Sequence, residues 1–271
     1  MTRTLLAFGD SHTAGAEIEK QYELWCYEKA YPSYIAKYFG FEYKNYAYPG
    51  GSNDWALVQF HKAIKSSIKN KEDVFVLFNF LEPSRTFFYN EGSIYDPVMH
   101  CFSGMLNESS FIKIPDDKSE SERLECLDFL RNYYLKDYVK IMPLYREYLK
   151  NHTIKSLDEK SITQIMHVQR TCNFFDIPFI FHTSCLWYSG NWSNISKKNF
   201  YGHDQDSYYG NKYKLKGEQY SFWGRATNHP KWKHLREEYR WSEHYPEEYH
   251  RYYASLLIGF INKQEILKGY I

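Results

Sequence analysis

The sequence predicts an α/β protein with three layers, in which helices cover both faces of a mainly parallel central sheet. Short apolar runs at residues 4–8, 74–80 and 178–184 each end at a turn signal, as expected of parallel strands buried on both faces. Segments with helical spacing separate these runs. This alternation of strand and helix is the pattern that builds layered α/β folds.

The other elements follow from their local patterns. A helix is predicted over residues 30–39, where Pro32 suits the first turn. A strand over residues 41–47 stops at a Pro-Gly-Gly turn, and a helix over residues 55–67 leads into the apolar strand 74–80. Further helices are predicted over 122–150, 157–174 and 247–262.

Two long stretches, residues 90–120 and 187–240, lack a sustained period. The first is rich in Gly, Ser, Asn and Asp, and the second is rich in aromatic and polar residues. Irregular segments of this length are usually functional loops or insertions. Because no repeat or composition step divides the chain, we expect a single domain over residues 1–271 that carries these two insertions.

The overall charge is nearly balanced, with 34 Lys and Arg against 33 Asp and Glu. Such a balance provides no field that favours nucleic acid or an anionic membrane as a partner. The apolar run after Arg3 is too short for a secretory leader, and no run reaches transmembrane length. These features predict a cytoplasmic protein. Together with the high Tyr, Lys and Asn usage they favour a phage or bacterial origin without deciding between the two, and the oligomeric state stays open.

Cysteine usage predicts neither a disulfide framework nor a zinc site. The five cysteines are odd in number, widely spaced and free of CxxC pairs, so buried thiols are expected. His203, Asp204 and Asp206 in "GHDQD", together with His229 in "TNHPKW", could suggest a metal. Without a second ligand cluster at a defined spacing they are interpreted as solvated loop residues, so no metal or cofactor is predicted.

The segment "FGDSHTAG" carries the clearest chemical signal. Ser11 follows a buried strand at a Gly9-Asp10 turn that leads into a helix. This position can expose the hydroxyl while neighbouring backbone N–H groups face an incoming oxyanion. A serine hydroxyl is a weak nucleophile without a base, so a histidine must be found elsewhere in the chain.

At these residues the sequence resembles the SGNH (GDSL-type) hydrolases, whose first motif is Gly-Asp-Ser at the end of the first strand. The resemblance implies a flavodoxin-like fold, with Ser11 as nucleophile, its N–H in the oxyanion hole and Asp10 as a structural neighbour. "NYAYPGGSND" is similar to the second motif and makes Gly50 the oxyanion glycine. "WSEHYPEEYHRYYASLL" resembles the last motif, with His244 as general base and His250 as a structural histidine at a helix start.

The third family motif has an oxyanion Asn, and this chain departs from it. In "VLFNFLEPSRTFF", Leu81 falls where that Asn is expected and Asn79 lies two residues early. Asn79 and Asn53 are therefore the candidates for the missing oxyanion donor.

The acid that precedes the family's catalytic histidine is also missing. Trp241 and Ser242 occupy its two customary positions, and Glu243 is the only carboxylate nearby. Two alternatives stay open: Glu243 orients His244, or a backbone carbonyl supports a Ser-His dyad.

Three functions are compatible with these motifs. The first is a serine esterase that removes O-acetyl or other short acyl groups from a carbohydrate, because the aromatic insertion suits sugar rings and no long apolar stretch suits a lipid tail. The second is a decayed SGNH-like protein that binds carbohydrate or forms part of a phage particle. The third is a metallophosphoesterase with Asp10 and His12 as ligands, which lacks the further motifs that such a site needs.

Overall fold

The computed structural model describes residues 3–19, 25–81, 83, 88–89, 97–98, 151–152, 154–184, 192–202, 221–227, 229–233 and 244–270. The strands are β1 (Arg3–Phe8), β2 (Glu42–Asn45), β3 (Asp73–Phe80), β4 (Phe88–Tyr89), β5 (Pro97–Val98) and β6 (Phe179–Thr183). The α-helices are α1 (Ser11–Ala14), α2 (Tyr31–Phe39), α3 (Asn53–Asn70), α4 (Ile154–Phe174), α5 (Phe222–Thr227) and α6 (Glu247–Lys263). Short 3₁₀ turns lie at Tyr27–Lys29 and Lys197–Asn199.

Four strands form a parallel sheet in the order β2-β1-β3-β6. The central strand β1 pairs with β3 over its whole length, and β3 pairs with β6. Parallel strands need crossover connections: α2 connects β1 to its neighbour β2, and α3 connects β2 to β3 on the far side of β1. Strands β4 and β5 form a separate antiparallel pair.

The sheet has an apolar layer on each face. Side chains of one strand alternate between the faces, so Leu6 and Phe8 pack on one side while Leu5 and Ala7 pack on the other. On the first face α3 contributes Phe60, and α4 adds a stripe of apolar residues that recur every three or four positions. This stripe consists of Ile162, Ile165, Val168 and Cys172.

Helices α2 and α6 cover the second face. α2 contributes Ile35 and Ala36, and α6 contributes large side chains, among them Tyr253 and Leu257. Helices on both faces of a parallel sheet confirm the predicted three-layer α/β architecture.

The predicted strands and helices agree with the structure within a few residues wherever both can be compared. The helix predicted over residues 55–67 extends from Asn53 to Asn70 in the structure. It begins at Asn53 because Ser52 caps it by accepting a hydrogen bond from the Trp55 N–H at 3.2 Å. The predicted strand 41–47 is shorter, and its exposed side chains fit an edge position. The predicted helix 122–150 and much of both insertions lie outside the described residues.

None of the helices within the described ranges combines the length and the apolar character needed to span a bilayer. Among the cysteines, Cys26 and Cys172 are buried thiols, and burial raises the pKa of Cys172.

Phe60 tests the layer between the sheet and α3. Its ring is fully buried against Phe8 and Phe78, with centroid distances of 5.6 and 6.0 Å. Phe60→Ala should lower the free energy of unfolding by about 3–5 kcal/mol, because it removes buried apolar surface and leaves a cavity. Urea unfolding measures this change.

Phe174→Ala is the matched control, because that ring at the end of α4 is 79% exposed. Its effect should stay within about 0.5 kcal/mol. Similar losses in both variants would contradict the assignment of Phe60 to the core.

Candidate active site

The turn that presents Ser11 lies at the carboxyl end of the central strand β1. Asp10 caps the four-residue helix α1, since its Oδ1 accepts a hydrogen bond from the His12 N–H at 3.1 Å. Ser11 is the first residue of this helix and is half-buried, whereas the residues after it in α1 are buried. The strand, turn and helix thus place Ser11 just beyond the carboxyl end of β1.

Gly9 permits an unusually close contact below this turn. A Cβ at this position would lie 2.9 Å from the Asn79 Cβ and closer still to the Thr13 hydroxyl. Real Cβ atoms do not approach neighbours so closely, so glycine is required for β3 and α1 to meet here.

The Asn79 side chain is fully buried at the end of β3 and joins three segments. Its amide nitrogen lies 3.1 Å from Asp10 Oδ1, 2.9 Å from Thr13 Oγ1 and 2.5 Å from Ser184 Oγ. The two amide hydrogens are shared among these three acceptors, so the Asn79 amide stabilises the turn through hydrogen bonds. The contact links β1, β3 and the residue after β6.

A chain of buried polar groups continues from Thr13 towards α6. The Tyr31 hydroxyl lies 2.9 Å from Thr13 Oγ1 and 2.8 Å from His182 Nε2, and the Tyr253 hydroxyl lies 3.3 Å from His182 Nδ1. Burial lowers the pKa of His182 to about 3, so the imidazole is neutral near pH 7. Burial also raises the pKa of both tyrosines, which keeps their hydroxyls protonated.

The loop that contains Gly50 lies against the Ser11 turn. The Tyr48 N–H donates to the Gly9 carbonyl at 3.2 Å, and the Gly51 N–H donates to the Tyr48 carbonyl at 2.8 Å. Gly50 has φ +76°, a left-handed conformation that glycine adopts without steric cost. No backbone carbonyl among the described residues accepts a hydrogen bond from the N–H of Ser11 or Gly50 outside the regular elements.

His244 lies beside the Ser11 turn and is held by a carboxylate. Its Nδ1 is 2.9 Å from Glu17 Oε2, and both side chains are largely buried. The His244 ring is also 5.2 Å from the ring of His12, which stacks on Phe222 at 4.7 Å. The residue next to Ser11 in the chain therefore packs against the predicted base.

Glu17 is a site residue that the sequence analysis did not identify. It lies just beyond α1 and has φ +56°, an uncommon conformation for a residue with a side chain. No spacing rule links a carboxylate after the first motif to a histidine 227 positions later. The predicted orienting residue, Glu243, lies outside the described residues.

The two predicted side-chain donors for the oxyanion make structural contacts. The Asn53 amide nitrogen lies 3.0 Å from the Leu81 carbonyl oxygen, and its Oδ1 accepts from the Leu81 N–H at 2.7 Å. Asn53 thereby fixes the residue that follows β3, and Asn79 holds the turn itself. The structure brings Ser11, Gly50 and His244 to one end of the sheet.

His250 connects α6 to the start of α2. Its Nδ1 accepts a hydrogen bond from the Tyr31 N–H at 3.2 Å, and the two rings are stacked with centroids 6.0 Å apart. Burial, together with the neighbouring His12 and His244, holds the pKa of His250 well below its ordinary value. A neutral ring that accepts a backbone hydrogen bond fits the structural role that the resemblance implies.

Within the described ranges, no group of three or more His, Cys, Asp and Glu side chains converges in a way that could hold a metal ion. His229 accepts a hydrogen bond from the Lys231 N–H at 3.1 Å, and His203, Asp204 and Asp206 lie outside those ranges.

No protein-family model matches this chain, and no curated protein matches it at a significant level. The resemblance to SGNH hydrolases therefore depends on the motifs themselves and on the three-layer fold.

The buried His182 predicts a specific loss of stability in acid. The folded protein excludes a proton that the unfolded chain binds below pH 6.5, because the pKa of His182 falls to about 3 on folding. The free energy of unfolding should therefore decrease as the pH falls from 6.5 towards 3, by about 1.4 kcal/mol for each pH unit from this residue alone.

Urea unfolding of the wild type and of His182→Gln, at several pH values between 8 and 5, measures this contribution. The variant loses buried hydrogen bonds and should be less stable at pH 8, but the gap should narrow by about 2 kcal/mol at pH 5. Parallel curves would contradict the assignment.

Proposed function

We propose that this protein is a serine ester hydrolase in which Ser11 is the nucleophile, His244 the general base and Glu17 the acid that orients the base. The observation that carries the proposal is the 2.9 Å contact between His244 Nδ1 and Glu17 Oε2 beside the Ser11 turn. A nucleophile at a strand-helix turn, a histidine and a carboxylate form the arrangement that activates serine in unrelated folds.

The backbone conformation of Glu17 supports this role. A left-handed residue with a side chain costs about 1–3 kcal/mol and persists where surrounding contacts demand it. At φ +56°, the backbone of Glu17 directs its carboxylate to His244 from the same short segment that carries Ser11. Strain of this kind is concentrated at functional sites.

Acylation begins when the Ser11 oxygen attacks the ester carbonyl carbon. His244 takes the hydroxyl proton at Nε2, while Glu17 accepts the hydrogen bond from Nδ1–H and stabilises the imidazolium that forms. The tetrahedral intermediate then collapses, and His244 returns the proton to the departing alcohol oxygen. The products are the free alcohol and an acyl-serine.

The N–H groups of Ser11 and Gly50 are the proposed donors to the oxyanion. They lie on adjoining segments, since the Tyr48 N–H binds the Gly9 carbonyl directly before the turn. Removal of a single preorganised oxyanion donor costs about 2.7–4 kcal/mol in acyl transfer. This arrangement does not use the side chains of Asn53 and Asn79.

Deacylation uses the same groups in reverse. His244 removes a proton from a water molecule, the resulting hydroxide attacks the acyl carbon, and Ser11 leaves after it regains the proton. The acid is released and the free enzyme is restored.

A short acyl group on a carbohydrate is the proposed substrate. Trp25, 38% exposed, lies edge-on to Tyr48 with a centroid distance of 5.7 Å. The Tyr48 N–H donates a hydrogen bond to the carbonyl of the turn residue Gly9. Next to Trp25, the Cys26 N–H donates to the Ala14 carbonyl at 3.1 Å. The aromatic pair thus flanks the Ser11 segment, where flat rings suit the apolar faces of sugars.

A fluorophosphonate probe tests the nucleophile directly. We expect one equivalent to attach to Ser11 in the wild type, identified by mass spectrometry of proteolytic fragments, because His244 activates this hydroxyl. Ser11→Ala and His244→Ala should both abolish labelling and the hydrolysis of 4-nitrophenyl acetate.

The absence of labelling under conditions that modify a control serine esterase would contradict the proposal. The chain would then be better described as an SGNH-like scaffold that binds its ligand without hydrolysis.

Glu17→Gln tests the orienting acid. The amide keeps the size of the side chain but removes the charge that favours the imidazolium, so kcat for an acetyl ester should fall by about 10²–10⁴-fold. Glu19→Gln is the matched control, because Glu19 lies two residues away and forms an exposed ion pair with Lys29. Equal kcat values for Glu17→Gln and the wild type would exclude Glu17 from this role.

A further inference from the structure

Two exposed histidines that are not part of the proposed active site face each other on α3 and α4. His61 of α3 and His167 of α4 are both exposed, and their Nε2 atoms are 2.9 Å apart. Their ring centroids are separated by 4.9 Å. The pair joins two helices that cover the same face of the sheet.

The spacing of the two nitrogens matches that of neighbouring ligands on one metal ion. A transition-metal ion binds histidine nitrogen at about 2.0–2.1 Å. Two such ligands at the right angle typical of square-planar Cu²⁺ or Ni²⁺ sites are then about 2.9 Å apart. The observed distance between the Nε2 atoms has this value.

The two helices are held together by contacts on the amino-terminal side of the pair. Asp54 lies two turns before His61 on α3. It accepts hydrogen bonds from Lys160 at 2.6 Å and Gln164 at 2.7 Å, which lie two turns and one turn before His167 on α4. Next to His61, the Phe60 side chain is fully buried in the core. A pair of ligands fixed by such contacts loses little conformational freedom when a cation binds.

The electrostatic state of the pair also suits a cation. A hydrogen bond between the two Nε2 atoms requires that one ring accept through its lone pair, and a neutral imidazole offers such a lone pair to a cation. In the metal-free pair one ring donates its Nε2–H to the other. When both nitrogens bind a cation, that ring carries its proton on Nδ1 instead, so no net proton is released.

We propose that His61 and His167 form a surface site for a divalent transition-metal ion of the Cu²⁺ class, with water completing the coordination. Imidazole nitrogen favours Cu²⁺ over the other divalent first-row ions, in accordance with the order of their affinities. The bound ion links α3 to α4, and this site is independent of the proposed ester hydrolysis.

Cu²⁺ titration of the full chain, first freed of metal with a chelator, tests the proposal. We expect one tight equivalent in the wild type, with imidazole nitrogen coordination in the electron paramagnetic resonance spectrum and a higher melting temperature. His61→Gln and His167→Gln should each weaken this equivalent by about tenfold or more, since the loss of even an indirect partner of a ligand costs about 10–100-fold.

His229→Gln is the matched control, because it removes a histidine elsewhere on the molecule and should leave the tight equivalent unchanged. Melting curves of the metal-free variants establish that each one is folded. Affinities for Cu²⁺ in His61→Gln and His167→Gln that equal that of the wild type would overturn the proposal. A wild-type spectrum without imidazole nitrogen would overturn it as well.

Discussion

The contact between β3 and the Ser11 turn is the constraint on which the rest of the site depends. Asn79 reaches Asp10, Thr13 and Ser184 only because Gly9 has no side chain in the way. A buried amide that lacks these acceptors would cost about 1–3 kcal/mol, so the network stabilises one arrangement of the turn and disfavours others. Ser11 lies between Asp10 and Thr13, so this network also fixes its position.

Some of the tyrosines form part of the core on the α2 and α6 side of the sheet. The sequence contains 27 tyrosines, and several of them are completely buried rather than placed with a polar tip at the surface. The hydroxyls of Tyr31 and Tyr253 form hydrogen bonds with the His182 ring, and the Tyr249 hydroxyl donates to the Phe222 carbonyl. Buried imidazoles and carbonyls thus allow large amphipathic rings to serve as core residues, at the cost of sensitivity to acid.

Local patterns predicted the layers of this protein well and its side-chain network poorly. The apolar runs and the helical spacing identified the parallel strands and the covering helices, because burial on both faces leaves a clear signature over a few residues. The same reasoning placed Ser11 at the end of β1, since a turn and its cap are also local. The partnership of Glu17 with His244, the commitment of Asn53 to Leu81 and the pairing of His61 with His167 each join distant positions. No periodicity within one segment carries that information.

The wide separation of the site residues along the chain has a consequence for synthesis. Ser11, Glu17 and Gly50 are synthesised well before His244, which follows Glu17 by 227 positions. Until α6 docks through the hydrogen bond between the Tyr31 N–H and His250, a contact that spans 219 positions, the proposed nucleophile has no base beside it. Under the proposed mechanism, a nascent chain that lacks α6 would therefore carry an unactivated Ser11.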